Sequence, residues 1–90
     1  MFYNNHGEIM NKKELNRIVG KNIKKYRLIY NKRYGLLTQE DLAEAINVSV
    51  SLISSLESNK TEKGISINNL YKISVVLKTS ISKFFEDKDE

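Results

Sequence analysis

The sequence predicts an all-α fold, a compact five-helix domain whose second and third helices form a tightly coupled pair. Three observations point to it. Apolar residues recur at spacings of three and four in five successive segments, the signature of helices with one buried face. A Ser or Thr stands ahead of four of those segments, as Thr38, Ser49, Ser66 and Ser80, where a side-chain oxygen can accept from the first free backbone N–H groups. No segment alternates apolar and polar residues as a half-buried strand would.

The first helix is marked by Leu15, Ile18, Val19, Ile23, Tyr26 and Tyr30 and is expected to run from Glu14 to about Tyr30. Asn31 to Leu37 then reads as a loop, with Gly35 supplying the backbone freedom of a helix exit. Thr38 caps the second helix, Glu40 and Asp41 lie where the helix dipole favours acids, and Asp41 can answer Thr38 in a capping box. Leu42, Ala43, Ala45 and Ile46 give this helix its apolar side. Asn47, tolerant of the left-handed conformation, marks the turn.

Ser49 caps the third helix, whose buried stripe is Leu52, Ile53 and Leu56 and whose outward face is small and uncharged: Val50, Ser51, Ser54, Ser55 and Ser58. Ser58 to Gly64 reads as a polar loop. Ser66 caps a fourth helix on Ile67, Leu70, Tyr71, Ile73, Ser74 and Leu77, and Ser80 caps a final short helix with Ile81, Phe84 and Phe85. Residues 12–86 are expected to form the domain, with residues 1–11 a flexible leader, in which Met10 is a second candidate start, and residues 87–90 a frayed tail.

Ninety residues fold around one core. The chain has no cysteine, which excludes a disulfide framework and a thiolate zinc site, and no apolar run long enough to span a bilayer, so a cytoplasmic protein is expected. The single histidine, His6, has no partner ligands at metal spacing and reads as a solvated tail residue. Without a Gly-rich phosphate loop, a thiol or a carboxylate pair in a plausible pocket, no enzyme, metal or cofactor is expected. The net charge is +4 and unevenly placed. Residues 11–34 carry nine Lys or Arg against Glu14 alone, whereas residues 38–57 carry four acids and no base. Such segregation favours a polyanion at one face, although a solvated helix face would look the same.

Two short helices joined by a turn of about three residues set the second across the first, so that its exposed N-terminal half can enter a major groove. The segment TQEDLAEAINVSVSLISSLE, Thr38 to Glu57, meets the requirements: Ala43 permits close approach, Asn47 makes the turn and Ile53 anchors the second helix from inside. With its continuation ISINNLYKISVVLKTSISKFFED, it resembles the Cro and phage-repressor type of helix-turn-helix proteins, the Xre family, over about residues 20–85.

The resemblance implies a sequence-specific regulator of transcription, a repressor, binding double-stranded DNA as a homodimer on a palindromic operator. It places Gln39 on a DNA phosphate; Val50, Ser51 and Ser55 at base edges; Asn59 and Lys60 near the backbone; and Arg27 with Glu57 as an ion pair linking the first helix to the third. Ser49, Lys24, Lys32 and Arg33 complete the expected phosphate-contacting set. The chain departs from the family in having Asn47 where glycine is usual, in extra residues between Arg27 and Gln39, and in lacking Arg, Lys, Asn or Gln on the base-facing side. Direct readout is therefore expected to be weak, with DNA shape and water contributing. Ile81, Phe84 and Phe85 are the candidate dimer interface, or simply a core-closing element. The competing reading is a helical protein-binding module, an antitoxin or adaptor; a regulatory protein partner is compatible with either, and no membrane or metal partner is expected.

Overall fold

A computed structural model describes Tyr3, residues 6–60 and residues 64–87. Four α-helices and a terminal 3₁₀ turn follow one another: α1 Lys12–Tyr34, α2 Gln39–Ile46, α3 Val50–Ser58, α4 Ile67–Val76 and the turn Ile81–Phe85. The all-α class stands. Ahead of α1, an isolated antiparallel bridge pairs Tyr3 with Ile9.

α1 differs from expectation at both ends. It begins two residues before Glu14, capped by Asn11, whose Oδ1 accepts from the Glu14 N–H at 2.9 Å. It also continues a full turn past Tyr30, so Lys32 and Arg33 lie in its last turn, where cations offset the carbonyl end of the helix, and not in a loop. Asn31 does not break the helix because its side chain works from inside it, accepting from the Leu37 N–H at 2.7 Å and holding the connection into α2. The stop is Gly35, at φ 122°.

The three following helices end alike. The N–H of Val48 reaches back to Ala43 O, that of Lys60 to Ser55 O and that of Thr79 to Ser74 O, with Asn47, Asn59 and Lys78 left-handed at φ 60°, 59° and 55°. This is the Schellman arrangement, which satisfies the last free carbonyls. Asparagine at the first two positions is what local chemistry favours; lysine at the third is not. Of the expected loop Ser58–Gly64, Ser58 belongs to α3 and residues 61–63 lie outside the described residues.

α1 is the spine of the molecule, with α3 and the 3₁₀ turn packed on it and α2 seated between α3 and α4. Ile18, Ile23, Leu42, Ile46, Ile53, Ile73 and Phe84 are sealed in the core. α1 and α3 cross closely at Gly20: a Cβ there would run into the carbonyl oxygen of Leu56. Alanine normally improves a helix interior by about 1 kcal/mol over glycine. Here the obstacle is backbone and cannot swing away, so Gly20→Ala is expected to destabilise by about 1–3 kcal/mol, as overpacking does. Urea unfolding measures it, and a stabilised variant would contradict the crossing.

The last element corrects two expectations. It is a 3₁₀ turn and not an α-helix, and Phe84 is wholly buried, its ring edge-on to Tyr26 at 5.9 Å, so it offers no surface to a second copy. Asn22 on α1, itself buried, donates from Nδ2 to the carbonyls of Phe84 and Glu86, each at 2.8 Å. That clamp holds the backbone as far as Glu86, the last residue of the expected domain; residues 88–90 of the expected tail lie outside the described residues.

Candidate nucleic-acid interface

The α2–turn–α3 unit is built from local signals that agree with one another. Thr38 Oγ1 accepts from the Asp41 N–H at 3.0 Å while an Asp41 carboxylate oxygen accepts from the Thr38 N–H at 2.9 Å, a complete capping box. Those bonds hold the Asp41 carboxyl below its usual value near 3.8, the backbone N–H of Thr38 contributing most. A carboxyl with a depressed folded value contributes stability that is present above the unfolded value and lost as pH falls through the folded one. The stability gap between the parent and Asp41→Asn should therefore be full at neutral pH and close below about pH 4; a gap that persists in acid would show that the charge has no part in it.

Asn47 turns the chain, and Ser49 restarts it, its Oγ accepting from the Leu52 N–H at 3.1 Å. Leu42, Ala43 and Ile46 of α2 meet Ile53 and Leu56 of α3 in the core. What remains outside on α3 is Val50, 43% exposed, with Ser51, Ser54 and Ser58. Ser55 is half-buried, and its carbonyl is occupied by the Lys60 N–H and the Ser58 hydroxyl. Ser54 is more open than Ser55, yet spacing alone does not separate the two: 51, 54, 55 and 58 share one helical face, and the tilt of α3 against α1 decides which turns outward.

Beneath this face lies a buried ion pair. Arg27 donates from Nε to one carboxylate oxygen of Glu57 at 2.8 Å and from Nη2 to the other at 2.9 Å; Arg27 is 9% and Glu57 5% exposed. The hydrogen bonds to Glu57 hold the guanidinium above its usual value, outweighing the opposing effect of burial. Arg27 Nη1 also donates to Leu37 O at 3.1 Å, and Gln39 Nε2 donates to Glu57 at 3.0 Å. One fork thus joins α1, the connection before α2, the first residue of α2 and the end of α3. It sets Gln39 at an N-terminus whose dipole favours anions.

A family model described as Helix-turn-helix matches residues 35–84, more than half of the chain. The chain belongs to this family, of the Cro and phage-repressor type. α2 and α3 are its helix-turn-helix pair, and the domain is a DNA-binding one. No curated protein matches the chain.

Within this helix-turn-helix domain the residues expected at the DNA interface, the half-buried Ser55 apart, fall into three groups. Arg27, Glu57 and Gln39 meet in one network. Ser49, Val50 and Ser51 stand together at the exposed start of α3, and Asn59 and Lys60 follow at its left-handed exit. Lys24, Lys32 and Arg33 are exposed on α1, and among the described residues no hydrogen bond or ion pair joins their side chains to the α3 face. Asn31, Asn22 and Gly20 escaped the sequence reading. Asn31 reads as the start of a loop and Asn22 as an ordinary polar position on a helix, and a helical glycine carries no local sign of what will cross it. Among the described residues no group of three His, Cys, Asp or Glu could hold a metal ion, and no helix is long and apolar enough to cross a membrane.

Proposed function

We propose that this protein is a sequence-specific transcriptional regulator, a repressor, that lays α3 in the major groove of a palindromic operator as a homodimer. The observation that carries the reading is the small exposed face of α3, Val50, Ser51 and Ser54, presented beside a Gln39 held by the Arg27–Glu57 fork. Val50 suits a thymine methyl group, and a serine hydroxyl can donate to or accept from more than one base, so each contact should discriminate by no more than the ~1–3 kcal/mol of a good bidentate pair. Gln39, Ser49, Asn59 and Lys60 flank that face as phosphate contacts, with Lys24, Lys32 and Arg33 adding charge from α1.

Repression follows from occupancy of a promoter by two such domains, with half-sites about 34–36 Å apart. Ile81 and Phe85 are the residues proposed for the twofold contact, both half-buried. Phe85 also lines a shallow apolar groove with Leu15, Val19, Ile65, Ile67 and Leu70, which extends the surface a second copy could cover.

Selection from a random duplex library at near-physiological salt tests the reading. A palindromic consensus is expected, with affinity falling steeply as salt rises. Gln39→Ala should weaken binding to all duplexes, whereas Ser51→Ala should chiefly relax the consensus; equal loss of preference in both would overturn those roles. Because the α3 face lacks a bidentate donor, a protein-binding module is the second reading, and the absence of salt-sensitive duplex binding would select it.

A further inference from the structure

Lys78 is the anomaly of the fold. It holds the left-handed position that closes α4, at φ 55°, where the same motif in α2 and α3 uses asparagine. The backbone therefore does not ask for lysine, and the side chain shows what does: Nζ sits 5.0 Å from the centre of the Tyr34 ring. Tyr34 is on the extra turn of α1, its ring tilted against Tyr30 at 4.9 Å. Between that turn and the segment Leu77–Thr79 lies a cavity of about 100 Å³, walled by Tyr26, Tyr30 and Tyr34, floored by Leu77 and edged by Arg33 and Lys78.

The lining decides the chemistry. Two cations and no carboxylate face the space, and neither Arg33 nor Lys78 forms an ion pair among the described residues. Both lie at helix C-termini, which accounts for their sign. It does not account for a lysine kept in a strained backbone position beside an aromatic wall, and non-glycine residues held left-handed concentrate at ligand sites. The volume holds several waters but falls short of the ~300–1,000 Å³ of a pocket for a drug-sized ligand. One ring fits; a nucleotide does not.

We propose that this cavity binds a small planar organic anion of the aromatic-carboxylate class, its ring against the tyrosines and its carboxylate between Arg33 and Lys78. Packing of the ring on the tyrosines and charge-assisted hydrogen bonds from Arg33 and Lys78 to the carboxylate supply the attraction. The site shares Arg33 with the proposed charge on α1 but stands apart from α3, and its test does not depend on the DNA-binding reading.

The test is a titration of the full 90-residue chain followed by amide NMR, with sodium benzoate as the probe and benzamide and inorganic phosphate as controls. Saturable shifts confined to Tyr26 and residues 29–34 and 77–79 are expected with benzoate at a Kd on the order of 1 mM or tighter. Benzamide and phosphate should each bind at least about tenfold more weakly, benzamide for want of the charge-assisted contact and phosphate for want of the ring against the tyrosines. Lys78→Asn keeps a residue suited to the turn and should keep the fold and its melting temperature, yet weaken benzoate at least about fivefold; Arg33→Gln should do the same. No saturation with benzoate, equal affinity for benzamide or phosphate, or unchanged affinity in both variants would each overturn the proposal.

Discussion

Replacing Arg27 with alanine is expected to cost about 3–5 kcal/mol of folding stability, because it leaves the Glu57 carboxylate buried without its counter-charge. Against the ~5–15 kcal/mol that holds a small domain together, that loss can unfold it at body temperature. Glu57→Ala should be comparably damaging, since it strands the guanidinium and releases Gln39 as well. The informative variant is the double replacement Arg27→Met with Glu57→Leu. Removing both charges together is often neutral or stabilising, so this protein should fold while lacking the bond that positions Gln39. Urea unfolding and duplex binding measured on the same three variants separate the roles. The single variants fail in stability, and the double variant should keep its midpoint and lose affinity. Intact affinity in a folded double variant would show that the fork serves the fold alone.

Phe84→Ala should be as severe, about 3–5 kcal/mol, through the cavity it leaves against Tyr26 and the core face of α1. The effect should not depend on protein concentration, because the side chain is internal. Ile81→Asp tests the opposite property: if Ile81 and Phe85 form the twofold contact, it should shift sedimentation toward the monomer, and because Ile81 is half-buried against the core it should also cost about 1–2 kcal/mol of stability, less than Phe84→Ala. A Phe84→Ala protein of near-parental stability would contradict the buried position of that ring. A parental sedimentation profile for Ile81→Asp would move the interface elsewhere.

Phe84 and Phe85 show where reading the chain reaches its end. Both are adjacent aromatics on one short amphipathic stretch, and spacing assigns them the same apolar task. α1 takes one of them because Asn22 clamps the carbonyls of Phe84 and Glu86 and fixes the rotation of the turn. Asn22 lies 62 residues from Phe84, so nothing near either residue in sequence announces the contact. Gly20 is hidden for the same reason: its use becomes visible only when the Leu56 carbonyl crosses it. The Arg27–Glu57 pair was accessible through the family resemblance, since two opposite charges thirty residues apart carry no mark of pairing by themselves.

Caps and turns behaved differently. Thr38 with Asp41, Ser49 and Ser66 all cap the helices expected of them, and Asn47 is left-handed between α2 and α3, because each of these depends on hydrogen bonds that span three to five residues. Two expectations fail: Ser80 precedes the 3₁₀ turn but makes no side-chain cap hydrogen bond, and the exit of α1 moves. A loop was expected from Asn31, but the helix runs on to Tyr34 and stops at Gly35, with the Asn31 side chain accepting from the Leu37 N–H across the connection.

By itself, then, the sequence determined the all-α class, the order of the helices, the helix-turn-helix pair and the small polar character of the α3 face, all properties set by period and by short-range hydrogen bonding. Tertiary structure alone decided which serine of that face turns outward, which phenylalanine is sealed inside, how far α1 extends and where Lys78 comes to rest. Those outcomes depend on which surfaces meet across the core, and the packing of one helix on another is a property of both.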